Sequence, residues 1–330
     1  MVNQDSQLRA GRPGRPGLRT SAGDTAGTSR GARRPTRMER REGRMGYLLI
    51  APTTALLTVF YLWPVVQTIG YSFTNWNSAT GSIGGIVGIQ NFRTLLDDQE
   101  FTRALLTTGI YIIFVVPATM MIGLVLAALL AQPFRGRGIY RALLFVPYIA
   151  PIVGSALIFT YILSPLGGIV NGVLTSLGVA PVGFLATEPW ALVSVIVFSS
   201  WQGVGYAMVI YAAGLSGIPP SYYEAARIDG ASAWRRFFSI SVPLVAPTTA
   251  FLAVTGVISA LQVFTQVYVL TQGGPLGSTE TLLYYIYKQG FVYFHGGLAS
   301  AAAVILLIIG IGISIIQLRF INRSDAVELE

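Results

Sequence analysis

The chain has 330 residues, 53% of them hydrophobic and only 11% charged, and its mean hydropathy is +0.61. Soluble domains carry about 25% charged residues, so this composition excludes a chain wrapped in a solvated surface and points to an integral membrane protein. There is no cysteine, the one histidine is His295 and the one lysine is Lys288. Disulfides, thiolate chemistry, multi-histidine metal sites and a Gly-Lys-Ser/Thr phosphate loop are therefore excluded, leaving no catalytic or metal-ligating set and no device of this kind for hydrolysing ATP.

Residues 1–45 are rich in Arg, Gly, Pro, Ser and Thr and hold eleven arginines, Arg9 to Arg44. With hardly any large apolar side chain, this stretch cannot offset the entropy of ordering and is expected to be a disordered basic tail. It has no aromatic residue to stack on bases, so nucleic acid is not an expected partner; anionic membrane lipid is. The arginine pairs at 33–34 and 40–41 suggest an export signal, but the apolar run that follows is too long for one.

Six apolar stretches follow, near 46–72, 105–131, 142–163, 190–214, 244–270 and 298–318, each free of charged side chains. Each is long enough to cross about 30 Å of hydrocarbon as a helix of roughly 20 residues. The expected fold is an all-α bundle of six transmembrane helices at 46–323, with a short tail at 324–330. If the N-terminus is cytoplasmic, nineteen of the 22 basic residues fall inside and only Arg93, Arg103 and Lys288 outside. The positive-inside rule favours that arrangement, with both termini cytoplasmic. Trp76, Phe184, Trp190, Tyr284, Tyr285, Tyr287 and Phe294 then lie in outward loops, as an interfacial belt or as part of a docking surface for a soluble partner.

The charged interruption at 219–243 falls on the cytoplasmic side. Pro219-Pro220 ends the fourth span, and Ser221 with Glu224 has the spacing of a capping box. A short helix to about Ile228, a turn at Gly230 and a second short helix with Trp234 to Phe238 make a helical knob. It either lies flat on the headgroups or is covered by another protein. In the flanking spans, Ser199, Gln202 and Tyr206, and likewise Ser259, Gln262 and Gln266, are spaced three and four apart, which puts each set on one helix face. These are candidates for a substrate pathway, with Trp201 as a further ring, or for hydrogen bonding between helices.

Glu224-Ala225-Ala226, Asp229-Gly230-Ala231, Phe237, Ile240 and Pro243 resemble the cytoplasmic EAA loop of binding-protein-dependent ABC importer permeases, with Val242 where the family commonly has Leu. FRGRGIYRALLFVPYIAP (134–151), SPLGGIVNGVL (164–174) and VYVLTQGGPLGSTETLLYYIY (267–287) are similar to segments of its carbohydrate branch, the maltose and glycerol-phosphate type. The resemblance implies a type I importer permease in a bacterial cell membrane, working by alternating access and itself neither an enzyme nor a binder of cofactors. It implies two ATPase subunits that use ATP and Mg, a second homologous permease, an extracytoplasmic solute-binding protein and a sugar substrate. By resemblance, Glu224 anchors the ATPase, Gly230 makes the turn, and Ala225, Ala226, Asp229, Arg235, Arg236 and Phe237 complete the coupling surface. The lack of cations within the spans favours a neutral sugar over a glycerol-phosphate-type or other anionic solute. A stand-alone carrier or a membrane enzyme would need intramembrane acids or histidines, and the spans have none.

Overall fold

The computed structural model describes residues 37–132 and 134–327, which form two units divided between Thr58 and Val59. The first unit contributes helix α1 (Arg37–Leu57). Its helix begins ahead of the predicted boundary at 46, so residues 37–45 are helical where a disordered tail is expected; the rest of that tail lies outside the described residues. Leu48, Leu49, Ile50, Leu56 and Leu57 on α1 are all exposed.

The second unit opens with a π-helical turn and α2 (Trp63–Tyr71), then an antiparallel hairpin of β1 (Thr74–Trp76) and β2 (Ile83–Ile86), which pairs Thr74 with Ile86 and Trp76 with Ile83. Helices α3 (Gln90–Asp97) and α4 (Gln99–Ala131) follow, then α5 (Arg137–Ile149), α6 (Ile152–Ile162), α7 (Ile169–Ser176) and α8 (Trp190–Ser216). Next come α9 (Pro220–Ile228), α10 (Ala233–Arg236), a π-helical turn, α11 (Val242–Leu244), α12 (Ala246–Leu261) and α13 (Thr265–Leu270). Helix α14 (Leu282–Tyr287), another π-helical turn and α15 (Gly296–Val327) complete it; α15 runs past the predicted end of the bundle at 323.

Among the described residues four helical segments are long and apolar enough to cross a membrane: Leu48–Tyr71, Gln99–Ala131, Trp190–Ser216 and Gly296–Gln317. The third and fifth predicted spans are not single helices. The third is broken between α5 and α6 with a bend of 97°. Pro151 cannot donate to the ladder and disfavours a helical residue before it, and Ala150 is extended (ψ 141°). Pro117 and Pro147, like Pro151 expected to be tolerated within a span, stay inside α4 and α5. The fifth bends by 65° ahead of α12, where Pro247 occupies the first turn, and α12 then stops at Leu261. Its 16 residues span only about 24 Å. The chain breaks again through Gln262–Phe264, and the carbonyl of Val263 accepts the hydroxyl of Thr281 at 3.0 Å. Counting each bent pair as one candidate crossing gives up to six among the described residues.

The bundle is organised around α4 and α8, whose facing residues form two buried clusters. Tyr111, Val115, Val116 and Phe198 meet Val263 and Val267 in one, and Ala127, Leu130, Ala207, Met208 and Tyr211 meet Leu252 in the other. In a bilayer, apolar side chains gain nothing by leaving lipid, so helices associate through close packing at small residues. Gly205 shows why: a Cβ there would overlap the Leu144 carbonyl and come within 2.9 Å of the Phe145 Cα. Gly205→Leu is expected to lose about 1–3 kcal/mol or more through overpacking, read as a clear drop in the thermal midpoint of the detergent-purified protein. An unchanged midpoint would mean that α5 and α8 do not pack this closely.

Candidate functional sites in a central cavity and an exposed loop

A half-open cavity of about 670 Å³ lies between α4, α8 and α12 and is flanked by the two broken helices, with Tyr148 and Ala150 at the end of α5 and Gln266 on α13 among its walls. Irregular backbone at membrane depth is tolerated where it lines a cavity, because unpaired carbonyls and N–H groups are then not left in lipid. No charged side chain lines it. Its polar groups are hydroxyls and amides from Tyr111, Thr119, Tyr148, Ser199, Gln202, Tyr206, Thr255, Ser259 and Gln266.

Five of the six predicted pathway residues, Ser199, Gln202, Tyr206, Ser259 and Gln266, come together on these walls. Gln262 does not. Because α12 ends at Leu261, the three-and-four spacing no longer follows one helical face, and Gln262 opens instead onto an apolar groove between α2, α12 and α15. Trp201 is also elsewhere, packed against Phe159 with ring centroids 5.2 Å apart. The ring that faces Tyr206 is Tyr148, stacked at 5.0 Å and 24°. Spacing within one span could not reveal it, although its place three residues before Pro151 in FVPYIAP marked the bend that turns it inward.

The hydroxyl of Ser199 donates back to the Val195 carbonyl at 2.8 Å, and that of Thr255 to the Phe251 carbonyl at 2.9 Å. The side chains of Gln202, Gln266, Ser259 and Tyr206 make no hydrogen bond to another described residue, and the Thr119 hydroxyl is buried without a partner. Those amides are therefore free to bond a guest. Each offers two donors and an acceptor with two lone pairs.

The second feature is the exposed loop at 219–243. Pro220 takes the first helical position of α9 and Ser221 lies within the helix, so no side-chain capping bond forms and the expected capping box is absent. Proline suits that position because its missing N–H would have had no partner anyway. At the other end Gly230 adopts φ +74°, while its N–H donates to the Arg227 carbonyl at 3.1 Å and that of Ala231 to the Ala226 carbonyl at 2.8 Å. This is a Schellman motif, with Asp229 as the C-cap and the glycine in the left-handed conformation it alone adopts without strain. Ser232 caps α10 by accepting from the Arg235 N–H, and Arg236 reaches back to the Ala231 carbonyl at 2.7 Å. Tyr223 ties α9 to the chain beyond α10 through the Ser241 hydroxyl at 3.0 Å. The knob is thus internally braced. Tyr222, Ile228, Trp234 and Phe238 nevertheless stand exposed, with Trp234 and Phe238 stacked at 5.9 Å. Glu224, Ala225, Asp229 and Arg235 are exposed, Ala226, Arg236 and Phe237 half-buried.

At the end of α4 remote from Ala131, a partly buried polar cluster fixes the 271–297 segment. Asp98 caps α4 through the Glu100 N–H at 2.8 Å and accepts the Tyr285 hydroxyl with its other oxygen at 2.5 Å. Lys288 bonds Glu280 at 3.0 Å and lies 3.5 Å from Glu100. Tyr284 and Tyr285 are buried in this assembly rather than standing in an interfacial belt. Burial raises the Glu280 carboxyl above its ordinary range despite the opposing pull of Lys288. Burial would lower Lys288, but the hydrogen bond and negative charge of Glu280, with Glu100 behind it, outweigh that and raise it.

Removing one partner of a buried pair typically costs about 3–5 kcal/mol, so Lys288→Met is expected to lower the thermal midpoint markedly near neutral pH. A carboxyl whose folded pKa is raised contributes stability at low pH that is lost as pH climbs through that value. Without Lys288 the Glu280 pKa rises further, so the deficit should narrow as pH is lowered and widen as it is raised through the Glu280 pKa. Glu280→Gln in the same background should abolish the pH dependence; a deficit independent of pH would contradict the pairing.

Residues 119–325 match the family model for the binding-protein-dependent transport system inner membrane component. The chain belongs to that family. It is 35% identical over 84% of its length to the sn-glycerol-3-phosphate transport system permease protein UgpA of Agrobacterium fabrum, covering 94% of that protein. It is also 35% identical over 81% of its length to the lactose transport system permease protein LacF of Rhizobium radiobacter, covering 90% of it. A chain in the crystal structure of a bacterial ABC transporter that imports the acidic polysaccharide alginate superposes with a TM-score of 0.79, over 87% of this chain and 98% of that one, at 24% identity. That likeness establishes the fold. The protein is accordingly an integral membrane permease subunit of an ABC transporter and not an enzyme.

Proposed function

We propose that this permease is half of the pore of an ATP-driven importer in a bacterial cell membrane, passing a neutral sugar or oligosaccharide by alternating access. The observation that carries the reading is the uncharged cavity walled by α8 and α12, the two helices joined through the exposed loop. Sugar hydroxyls are matched by the free amides of Gln202 and Gln266, and an apolar sugar face by the Tyr148–Tyr206 pair. In this reading six crossings place both termini and the 219–243 loop in the cytoplasm. There the exposed Tyr222, Ile228, Trp234 and Phe238 are covered by one of two ATPase subunits, which use the ATP and Mg. A second homologous permease completes the pore, and an extracytoplasmic binding protein delivers the substrate. Because α9 and α10 are braced to one another, a push on the loop reaches α8 and α12 together and alters the cavity between them.

A glycerol-phosphate-type cargo is the second reading, favoured by the similarity to UgpA. It is disfavoured by a cavity with no cation, since an anion leaving water requires a compensating charge. The deciding experiment purifies the chain with its co-expressed partners in proteoliposomes and measures ATP-dependent uptake of neutral sugars and of phosphate esters. Uptake of a sugar dependent on a binding protein is expected. Recovery of the chain with no ATPase would sink the importer, and uptake of phosphate esters alone would sink the sugar assignment.

A further inference from the structure

A second cavity, of about 910 Å³, lies beneath the knob, between the end of α4, the start of α5 and the 219–241 loop. Its charged walls are Arg137 and Arg141 from α5, Arg227 from α9, Arg236 from α10 and a single carboxylate, Glu224. None of these five forms an ion pair among the described residues, and the one hydrogen bond found for the four guanidiniums is that of Arg236 to a backbone carbonyl. Four like charges converging on one cavity repel each other, and one exposed carboxylate does not neutralise them. The remaining walls are mostly apolar, with Leu130 from α4 and Leu215 from α8, interrupted by the uncharged polar groups of Gln132, Ser216, Tyr223 and Ser241.

We infer that this cavity binds the phosphate headgroup of an anionic phospholipid, with its acyl chain against the apolar wall. Basic pockets between transmembrane helices on the cytoplasmic side are where such headgroups bind, and guanidiniums match phosphate oxygens in paired hydrogen bonds. A free phosphate would use the arginines but leave the apolar wall wet, so the two-sided lining selects the amphiphile. The lipid would bridge α5, whose far end carries Tyr148 into the central cavity, to the two short helices of the knob. It thereby relieves the repulsion between Arg137 and Arg141 on one side and Arg227 and Arg236 on the other. The inference rests on the orientation proposed above, which puts this end in the cytoplasmic leaflet.

The test uses the purified transporter, delipidated in neutral detergent and titrated with phosphatidylglycerol or phosphatidylcholine, with bound lipid counted by native mass spectrometry. Wild type should retain phosphatidylglycerol selectively. The double variant Arg137→Gln/Arg141→Gln should bind it about thirtyfold more weakly, roughly fivefold per arginine, while Arg319→Gln on α15 retains it. In nanodiscs, ATPase coupling should be higher with phosphatidylglycerol than with phosphatidylcholine, and the double variant should lose that difference. Equal retention of the two lipids overturns the inference. So does full rescue in phosphatidylcholine by inorganic phosphate, which would make the ligand a free anion, or loss of the co-purifying ATPase in the double variant, which would assign the arginines to that interface. Absence of an ATPase from the wild-type preparation would count against the importer instead, and lipid retention by the chain alone would still read on the cavity.

Discussion

Gly230→Val is expected to leave the transporter assembled in the membrane and to abolish substrate-coupled ATP hydrolysis and uptake. Nothing lies within 4 Å of a Cβ built at this position, so the change meets no steric obstacle within the chain. What it meets is the backbone: φ is +74°, where a side chain costs about 1–2 kcal/mol, and more when it is β-branched. The loop can escape that strain only by giving up the Schellman bonds from Gly230 and Ala231. Those bonds set the angle at which α10 leaves α9, and with it the relative placement of Trp234 and Phe238 against Tyr222 and Ile228. A surface that must fit a partner tolerates little change in that angle. The origin of the effect is testable by a graded series, because asparagine enters the left-handed region more readily than alanine, and alanine more readily than valine. Coupling should fall in the order Gly, Asn, Ala, Val. A series ordered by side-chain volume, with Ala milder than Asn, would show that the partner's surface and not the backbone excludes the side chain. Uncoupled hydrolysis or none is acceptable within the series; normal transport by Gly230→Val would refute the role of the turn.

The loop was legible in the sequence because its determinants are local. A proline that can only begin a helix, a glycine that can end one and a serine that can cap the next all act within a few residues. Ser221 is the exception: its spacing to Glu224 points to a capping box, but Pro220 begins α9 and Ser221 lies inside it. The unbroken spans were legible for a different reason: a long apolar run free of charge has few alternatives. The two broken spans divide on the same principle. The break at Ala150-Pro151 could be marked from the residues as a candidate, although Pro117 and Pro147 lie inside α4 and α5 without breaking them, so proline alone does not decide it. The break at Gln262–Phe264 could not be marked, since LQVF contains neither glycine nor proline. It is held by tertiary contacts, the Thr281 hydroxyl on the Val263 carbonyl and the burial of Val263 and Val267. Tyr284 and Tyr285 illustrate the converse. Their composition suits an interfacial belt, and only the distant acceptors, the Gln272 carbonyl and Asp98, reveal them as buried anchors.

That unforeseen break decides the second large effect. On a continuous helix, Gln262 would stand between Ser259 and Gln266 on the cavity wall; on the broken one it faces the groove beside α2 and α15. Gln202→Leu and Gln266→Leu are therefore each expected to raise the transport Km by about tenfold to a hundredfold or to abolish uptake, whereas Gln262→Leu leaves Km unchanged. The magnitude follows from what a leucine does to a hydroxylated guest. Removing one partner leaves a substrate hydroxyl without a bond in a desolvated site, which costs about 1–3 kcal/mol. Leucine is close in size to glutamine, so the yield of assembled complex should hold and separate recognition from folding. Tyr206→Phe supplies the complementary control: the stacked ring remains and only the hydroxyl is lost, so its effect should be smaller than that of Tyr206→Ala. If Gln262→Leu raised Km while Gln266→Leu did not, the chain through 259–266 would be a continuous helix in the working transporter, and the substrate path would lie on the other side of α12.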